Sequence, residues 1–426
     1  MALRNLSDDM PSVVFNFQAS KYLDPRITFT RASYAPASDP ASGTGNVDGG
    51  VQEFNVNVPR LTDQGLLVEE GRSNAITYST APDAEFVQDS AHFDYTFNQP
   101  APDGTNTAHK ITNSSNTTSN RGGQFSAFAT IPTSGKIAVS VFVKPVGGQV
   151  IYLGGESGNQ GYYGPPLTYF DFILSPPTAN KTASNGTPAA SNLVVEPFIE
   201  DVGGGWYRLI NIVDLDSTDS FKTGVTRGPR VAPVTTGTSV FVWGYQIETG
   251  ASATSYIPTS GATVIRAPDL CEITGTNFSS WYNNGTEGTI VTTASSGNAG
   301  TSDNLFIVYL GGGASSGNNR ICSTVGSEFT AFAQDTTLDI RFADAVYKSN
   351  VAGKGAFGYK PKDSAFYVDG AAVTASDNGD SIPTTAVNRM YIGMNRNEGN
   401  QLNGYISNIA YYPTRLTDTV LGGLTQ

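Results

Sequence analysis

The feature that most constrains the fold is a repeated pattern of short segments in which apolar side chains recur at every second residue. Ile137, Val139, Val141 and Val143 are separated by single residues, so all four lie on one side of an extended strand. The chain contains 47 Gly and 23 Pro, which favour turns between such segments. We therefore predict an all-β fold in which short antiparallel strands stack in layers.

The chain of 426 residues is long enough for two or three separate cores. Residues 1–73 contain only scattered short apolar runs, which predict an extended N-terminal arm that cannot fold alone. Residues 74–259 are predicted to form an antiparallel jelly-roll sandwich, 260–270 a linker, and 271–426 a second antiparallel sandwich. The arm either anchors the protein to a larger particle or completes the sandwich that follows it.

Several local elements follow from turn signals. Two hairpins are predicted, one turning at residues 145–148 into the strand 149–153, and one turning at residues 203–205. Asp369 and Gly370 are predicted to form a third turn. Leu416 and Leu424 lie within an apolar pattern that predicts a short amphipathic helix at the end of the chain.

The segment from residue 240 to 269 closes the first predicted sandwich, crosses a linker and opens the second. Phe241, Trp243, Tyr245 and Ile247 alternate along 240–248, so they are predicted to share one core-facing side of a strand. The following residues are mostly Gly, Ala, Ser and Thr and offer too little apolar surface to pack alone. This stretch is predicted to be either a linker or a clamp, and the three tryptophans, Trp206, Trp243 and Trp281, are predicted to be core residues.

Parts of the sequence resemble segments of bacteriophage fibre and adhesin proteins. The resemblance covers Phe29-Thr30-Arg31-Ala32-Ser33, residues 65–74 (GLLVEEGRSN), residues 243–259 (WGYQIETG and TSYIPT), Arg266-Ala267-Pro268-Asp269 and residues 404–413 (GYISNIAYYP). It implies a virion structural protein in which a jelly-roll carbohydrate-binding-like domain precedes a concanavalin A-like, laminin-G-like lectin domain. These segments contain no known catalytic or ligand-binding motif, so the resemblance assigns no site residue.

The charge balance excludes one class of partner. The formal net charge is −12 and the pI is near 4.6, whereas a nucleic-acid-binding protein needs clustered Lys and Arg to neutralise phosphates. No stretch reaches the length of a membrane-spanning helix, and the N-terminus lacks the apolar region of a signal peptide. We therefore expect no membrane insertion and synthesis in the bacterial cytoplasm, where Cys271 and Cys322 are predicted to be reduced, buried thiols.

The sequence offers little catalytic chemistry. His92 and His109 lie in polar, turn-rich sequence without a neighbouring nucleophile motif, so no catalytic residue and no cofactor are predicted. Lectin-like folds include glycanases, whose paired carboxylates can come from distant strands, and a depolymerase therefore remains an alternative. Calcium is a further alternative, because two acidic clusters, Asp214/Asp216/Asp219 and Asp377/Asp380, carry oxygen ligands; solvated loop carboxylates explain the same clusters.

Carbohydrate binding requires aromatic faces flanked by amide, carboxylate or guanidinium groups. Asn159, Gln160, Tyr162 and Tyr163 meet this requirement in a loop and are the first candidates. In the second sandwich the candidates are Asn395 and Arg396, with the segment Asn318-Asn319-Arg320 at another strand end. The alternative is that Tyr162 and Tyr163 pack against a neighbouring subunit or the N-terminal arm.

The sequence thus favours a non-enzymatic virion protein, a short fibre or tail adhesin that contacts host surface polysaccharide. The arm is expected to bind other virion proteins, and the resemblance implies a homo-oligomer, often a trimer, although the chain has no coiled-coil repeat. The alternative is a capsid or tail decoration protein, a cement that binds neighbouring subunits and no glycan.

Overall fold

A computed structural model shows that the protein is built almost entirely of β-strands, which account for 53% of the structure and are accompanied by two short helices. The prediction of an all-β antiparallel sandwich fold is therefore confirmed. The structure describes residues 10–20, 22–38, 50–80, 86–87, 93–114, 124–126, 135–147, 150–157, 167–182, 194–215, 221–232, 236–282, 286–297, 305–312, 319–335, 338–344, 348–378, 382 and 387–426.

The elements are numbered in chain order. The first twenty strands are β1 (Val13–Asn16), β2 (Thr28–Thr30), β3 (Ala35–Ser38), β4 (Val51–Phe54), β5 (Arg60–Thr62), β6 (Gly65–Val68), β7 (Arg72–Asn74), β8 (Phe86–Val87), β9 (Phe93–Gln99), β10 (Ala108–Asn113), β11 (Gln124–Ser126), β12 (Gly135–Pro145), β13 (Val150–Ser157), β14 (Leu167–Asp171), β15 (Thr178–Thr182), β16 (Val194–Gly203), β17 (Trp206–Leu215), β18 (Phe221–Ala232), β19 (Ser239–Thr249) and β20 (Val264–Arg266). The others are β21 (Leu270–Thr274), α1 (Gly275–Ser279), β22 (Gly288–Ser296), β23 (Leu305–Gly311), β24 (Arg320–Val325), β25 (Phe329–Gln334), β26 (Leu338–Asp344), β27 (Gly353–Tyr359), β28 (Ala365–Val368), β29 (Ala371–Val373), β30 (Ala375–Asn378), β31 (Arg389–Ile392), β32 (Gly404–Tyr412) and α2 (Asp418–Leu424).

The chain divides into two compact units, each assembled from separate stretches of sequence. Unit 1 consists of residues 1–33, 55–71 and 267–426. Unit 2 consists of residues 34–54 and 72–266. The predicted domain boundaries at residues 73, 259 and 270 stay a prediction. The two units are defined by contacts in space, and each of them combines stretches from different parts of the sequence.

Unit 1 is a sandwich of two sheets. Sheet 1A has the order β29-β28-β27-β22-β32-β6-β5, with β1 also paired to β32, and sheet 1B has the order β2-β21-β31-β23-β24-β25-β26-β30. Apolar side chains from both sheets, among them Ile290, Ile307, Phe357 and Ile409, form one buried core between them. Helix α2 packs on β27 and β28 and buries Leu421 in one cluster with Leu416, which lies just before the helix; this confirms the amphipathic helix predicted at the end of the chain.

Unit 2 also contains two main sheets. Sheet 2A has the order β16-β17-β12-β19-β10-β9, and sheet 2B has the order β15-β14-β13-β18-β11-β8. Ile137, Val139, Val141 and Val143 point from β12 into the main core of this unit, as their alternation predicts. Trp206, Trp243 and Trp281 are at most 6% exposed, so the expectation that all three tryptophans are core residues is confirmed.

The segment assigned to the N-terminal arm contributes strands to both units. In unit 1, β1 pairs with β32, β2 pairs with β21, and β6 lies between β32 and β5. In unit 2, β3 pairs with β4 and β7 pairs with β20. The described part of residues 1–73 is therefore anchored by ladder hydrogen bonds to strands that follow it in the sequence.

The first predicted hairpin is wrong, whereas the second and third are confirmed. Strand β12 pairs with β17 and β19, and β13 pairs with β14 and β18 in the other sheet. Both edges of β12 are occupied, so the chain crosses between sheets after Pro145 and makes no tight return. Strands β16 and β17 form the hairpin predicted around residues 203–205, and β28 and β29 turn at Asp369 and Gly370.

The prediction that Phe241, Trp243, Tyr245 and Ile247 share one face is also wrong. Gly244 has a φ of +63°, and the pairing with β12 shifts at this point because Trp243 lies opposite Phe142 and Gln246 opposite Ser140. This β-bulge inserts one extra residue and reverses which side chains face inward. Tyr245 and Ile247 point into the core between the sheets, whereas Trp243 packs on the other face with Phe142 and Tyr256.

The segment after β19 covers that outer face of sheet 2A. Tyr256 is 3% exposed and its ring centroid lies 4.5 Å from that of Trp243. Gln246 Oε1 accepts a hydrogen bond from the Ile257 backbone N–H, and Glu248 Oε2 accepts one from Thr254 Oγ1 at 2.6 Å. Of the two alternatives for this segment, the contacts describe a clamp.

Three of the segments that carry the phage resemblance meet at a buried ionic cluster in unit 1. They supply Arg31, Glu69 and Asp269, and Arg60 from β5 joins them; none of the four is more than 4% exposed. The Asp269 carboxylate accepts hydrogen bonds from Arg31 Nη1 at 3.1 Å, from Arg60 Nη2 and from the Glu69 backbone N–H at 2.9 Å. Glu69 Oε2 accepts a bond from Arg60 Nη1 at 2.7 Å. These contacts join three segments that are distant in sequence at one buried ionic cluster.

Candidate functional site

The first predicted site lies outside the described residues. Asn159, Gln160, Tyr162 and Tyr163 belong to the undescribed stretch 158–166. Their role in carbohydrate binding stays a prediction.

The second group of candidates lies at the outer face of sheet 1B, the side that points away from the core of unit 1. Arg320 on β24 is opposite Gly311 on β23, and Gly311 is opposite Arg389 on β31. On the far side of β24, Arg320 is opposite Gln334 on β25. Directly opposed residues on antiparallel strands place their side chains on the same face. Two arginines therefore flank a glycine, with about 10 Å between their strands.

A second row on this face is aromatic. Tyr309 precedes Gly311 by two residues and is opposite Cys322 and Tyr391, and Phe332 continues the row opposite Cys322. The ring of Tyr309 lies edge-on to that of Tyr391, with centroids 5.6 Å apart, and 5.5 Å from that of Phe306. With Met394 these residues form a buried cluster on the outer side of the sheet.

Arginine side chains cover this aromatic layer. The Arg320 guanidinium carbon lies 4.9 Å from the ring centroid of Phe332, and Arg320 Nε donates a hydrogen bond to Gln334 Oε1 at 2.9 Å. The Arg389 guanidinium lies 6.0 Å from the ring centroid of Tyr391. Such planar cations stack favourably on aromatic faces.

Glycine at position 311 allows the Tyr309 ring to lie along the sheet. A Cβ atom at this position would come 2.4 Å from Tyr309 Cε1 and 3.0 Å from the Asn319 carbonyl oxygen. Both distances are too short for ordinary side-chain contact. The ring of Tyr309 and the backbone of Asn319 therefore both lie against Gly311. Tyr309 and Asn319 are thus neighbours on this face of the sheet.

Three buried polar atoms of this region have no hydrogen-bond partner among the described residues: the Tyr309 hydroxyl, Asn319 Oδ1 and Arg396 Nη1. A buried polar atom without a partner costs about 1–3 kcal/mol of stability, and such atoms are uncommon in folded proteins. Together they offer two donors and two acceptors, since a hydroxyl can act as both. A ligand with hydroxyl groups and an acceptor oxygen matches that set.

The environment keeps the Tyr309 hydroxyl protonated. Burial raises the pKa of Tyr309 to about 12; the neighbouring Cys322 acts in the same direction, whereas Arg396 and Arg320 oppose it. The phenol is therefore neutral near pH 7 and able to donate a hydrogen bond. Because both arginines act on the same phenol, their charges lie within electrostatic range of it.

Asn395 shapes the loop that carries Arg396. Its Oδ1 accepts hydrogen bonds from the backbone N–H groups of Asn397 at 2.8 Å and Gly399 at 3.1 Å, and its own N–H donates to the Gly399 carbonyl at 2.9 Å. Glu398 sits in this turn with a φ of +57°. Asn395 thus fixes the shape of this turn, and Arg396 Nη1 is a buried donor without a partner among the described residues; the role of both residues in carbohydrate binding stays a prediction.

Sequence reasoning named Asn395, Arg396, Asn319 and Arg320 but missed Tyr309. Tyr309 stands in an apolar strand, Leu305 to Leu310, whose composition indicates only a buried element. Alternation within β23 was the available signal, since Val308 and Leu310 face the core and Tyr309 therefore faces the other way.

The acidic clusters are the sequence's candidate metal ligands, and the two cysteines are its predicted thiols. Among the described residues, no group of three or more His, Cys, Asp or Glu side chains is placed to hold a metal ion. Asp214 lies exposed on β17, while Asp216, Asp219 and Asp380 fall outside the described residues, as does His92. Cys271 and Cys322 are buried and unpaired, which confirms the prediction of two buried thiols.

A second surface feature of unit 1 is a depression of about 340 Å³ lined by β1 and the turn after it. Tyr22 stands at its edge with 83% of its surface exposed, beside Asn16 and Asp24. Arg26 is paired with Asp24 at 2.8 Å and lies 5.2 Å from the ring centroid of Phe15. In the described part of the chain, no helix is both long enough and apolar enough to cross a membrane.

The sequence matches no protein-family model, and no curated protein sequence matches it. Partial structural matches exist. The sialidase carbohydrate-binding module CBM40 of Ruminococcus gnavus, bound to α2,3-sialyllactose, has 16% identity and a TM-score of 0.29 over 33% of this chain and 82% of its own. Domain 4 of AbnA, a GH43 extracellular arabinanase from Geobacillus stearothermophilus, in complex with arabinotriose, has 12% identity and a TM-score of 0.30 over 42% of this chain and 84% of its own. The sialidase of Trypanosoma rangeli has 14% identity and a TM-score of 0.29 over 36% of this chain and 25% of its own. At these scores the likeness is partial and carries no functional information.

Proposed function

We propose that this protein binds glycans without cleaving them, and that unit 1 carries a binding site on the outer face of sheet 1B. The observation that supports the proposal is the group of unpartnered polar atoms, Tyr309 OH, Asn319 Oδ1 and Arg396 Nη1, over a buried aromatic layer. Sugars present both hydroxyl donors and oxygen acceptors in close succession, which is the complement of this group.

The resemblance to phage fibres and adhesins supports a more specific role as a short fibre or tail adhesin that contacts host surface polysaccharide. In this role residues 1–73 join the protein to other virion proteins, and the assembly is a homo-oligomer, such as a trimer. The alternative role is a decoration or cement protein of the capsid or tail that binds no glycan. Adsorption distinguishes the two, because only loss of an adhesin lowers adsorption of the particle to cells.

The glycan-binding proposal is tested with full-length protein and a panel of purified bacterial surface polysaccharides. We expect saturable binding by calorimetry to at least one of them, and no release of reducing ends on long incubation. Binding is expected to decrease with Tyr309→Phe, whereas Tyr22→Ala and the paired change Tyr162→Ala/Tyr163→Ala report on the depression and on the loop candidates. Absence of binding to every polysaccharide contradicts the proposal, and release of reducing ends supports the depolymerase alternative.

A further inference from the structure

The outer face of sheet 1B carries two arginines that have no carboxylate partner among the described residues. The protein has a formal net charge of −12, and many of its described arginines lie within 4.0 Å of a carboxylate: Arg26, Arg31, Arg60, Arg208, Arg389 and Arg415. Arg320 and Arg396 form no ion pair with any described residue. Arg320 bonds only to the neutral amide of Gln334, and Arg396 leaves Nη1 unpartnered.

These two cations act on one point of the sheet. Both Arg320 and Arg396 favour the ionised form of Tyr309 and so oppose the rise in its pKa caused by burial. Tyr309 itself is 1% exposed and its hydroxyl has no partner in the described structure. An unpartnered donor beside two unpaired guanidinium groups favours the approach of an anion.

Carboxylates also act on this face. Arg389 is paired with Glu272 at 3.5 Å. Burial raises the pKa of Tyr391; Arg389 opposes this rise, and Glu272 and Glu398 add to it. Glu272 is thus occupied by Arg389, whereas Arg320 and Arg396, which act on the neighbouring Tyr309, have no carboxylate partner among the described residues.

We propose that the outer face of sheet 1B binds an acidic saccharide whose anionic group contacts Arg320 and Arg396 and accepts a hydrogen bond from Tyr309. This inference rests on the proposed glycan binding and names its ligand class. Planar guanidinium groups bind carboxylate, sulfate and phosphate oxygens in pairs, and Asn319 Oδ1 accepts a bond from an adjacent sugar hydroxyl. Arg396 is half-buried, so its side chain is partly accessible to a ligand.

The test compares matched saccharides with the full-length protein. Oligogalacturonate and its fully methyl-esterified form compare a charged carboxylate with a neutral ester, and a sulfated dextran oligosaccharide and its unsulfated form supply the sulfate comparison. We expect at least one acidic member to bind at least about tenfold more tightly than its neutral counterpart, with affinity that falls as salt rises from low to physiological ionic strength. The pair whose two members differ in affinity identifies whether the protein recognises a carboxylate or a sulfate.

Variants locate the site. Arg396→Met and Arg320→Met are each expected to weaken binding of the acidic saccharide at least about tenfold. Lys348→Met removes one positive charge from an exposed position of unit 1 and is the matched control, expected to leave affinity unchanged. Tyr309→Phe is expected to weaken binding while maintaining or raising the melting temperature, because it deletes a buried hydroxyl that has no partner in the free protein. If the Tyr309 hydroxyl served only to stabilise the fold, Tyr309→Phe would lower the melting temperature.

The outcomes separate this inference from the proposed function. Equal affinity for the acidic and neutral members of both pairs overturns the acidic-saccharide inference and leaves glycan binding standing. Tight acidic binding that is unchanged in Arg396→Met, Arg320→Met and Tyr309→Phe also overturns it, because the ligand then binds elsewhere. Failure to bind these saccharides and the whole polysaccharide panel overturns both.

Discussion

The buried ionic cluster of unit 1 gives the sharpest test of the structure. Asp269 is fully buried and its carboxylate accepts hydrogen bonds from Arg31, Arg60 and the Glu69 backbone N–H. In Asp269→Asn one carboxylate oxygen becomes an amide nitrogen, which must face an N–H donor in either orientation. The change also removes one negative charge from beside two buried arginines, Arg31 and Arg60.

The expected loss follows from these two effects. Removing one partner of a buried, hydrogen-bonded ion pair costs about 3–5 kcal/mol, of which a charge-assisted hydrogen bond accounts for about 1.5–3 kcal/mol. At about 1.4 kcal/mol for each factor of ten, the population of unfolded unit 1 rises by roughly two to three and a half orders of magnitude.

Amide hydrogen exchange followed by mass spectrometry measures this effect in each unit separately. The most protected amides of β23 and β31 in unit 1 are expected to exchange faster by that factor, while those of β12 and β19 in unit 2 keep their rates. Asp363→Asn is the control, because the Asp363 side chain is 63% exposed in its pair with Arg415, and such pairs contribute at most about 1 kcal/mol. A change of less than tenfold in unit 1 of Asp269→Asn would refute the reasoning.

Two further predictions concern unit 2. Burial raises the pKa of Glu248 above its usual value, although Arg208 and Arg72 oppose this rise. The folded state therefore holds the Glu248 proton to a higher pH than the unfolded state does. As a result, the free energy of unfolding decreases as pH rises from the unfolded-state pKa to the folded-state pKa. Glu248→Gln removes this pH-dependent contribution. When melting temperatures are measured from about pH 4 to about pH 8, the variant should become increasingly stable relative to the parent as pH rises. A difference in melting temperature that does not change with pH contradicts the raised pKa of Glu248. Gly244→Ala forces a side chain into a φ of +63° with Cβ 2.9 Å from the Phe142 ring, and is expected to destabilise unit 2 by about 1–3 kcal/mol in urea unfolding. An unchanged urea midpoint would show that β19 tolerates an ordinary residue at the bulge.

The sequence by itself determined the class of fold and many of its local elements. Alternation along β12, the glycines at residues 203–205, the Asp369-Gly370 turn and the apolar pattern of α2 each act within a few residues, so their consequences follow from local geometry. The same alternation failed at β19, because the bulge at Gly244 depends on how the strand pairs with β12. It is a property of the ladder and not of the strand alone.

Only the tertiary structure decided which distant residues meet. Arg31, Arg60, Glu69 and Asp269 lie in separate stretches of the chain, yet burial of any one charge requires the others, and nothing local in the sequence encodes that pairing. The candidate site shows the same division, since composition drew attention to Arg396 and Arg320 at strand ends, whereas their convergence on Tyr309 follows from the order of strands in sheet 1B. Local periodicity specifies which side chains leave a strand together, but strand order specifies which strands become neighbours, and that order depends on contacts between residues far apart in sequence.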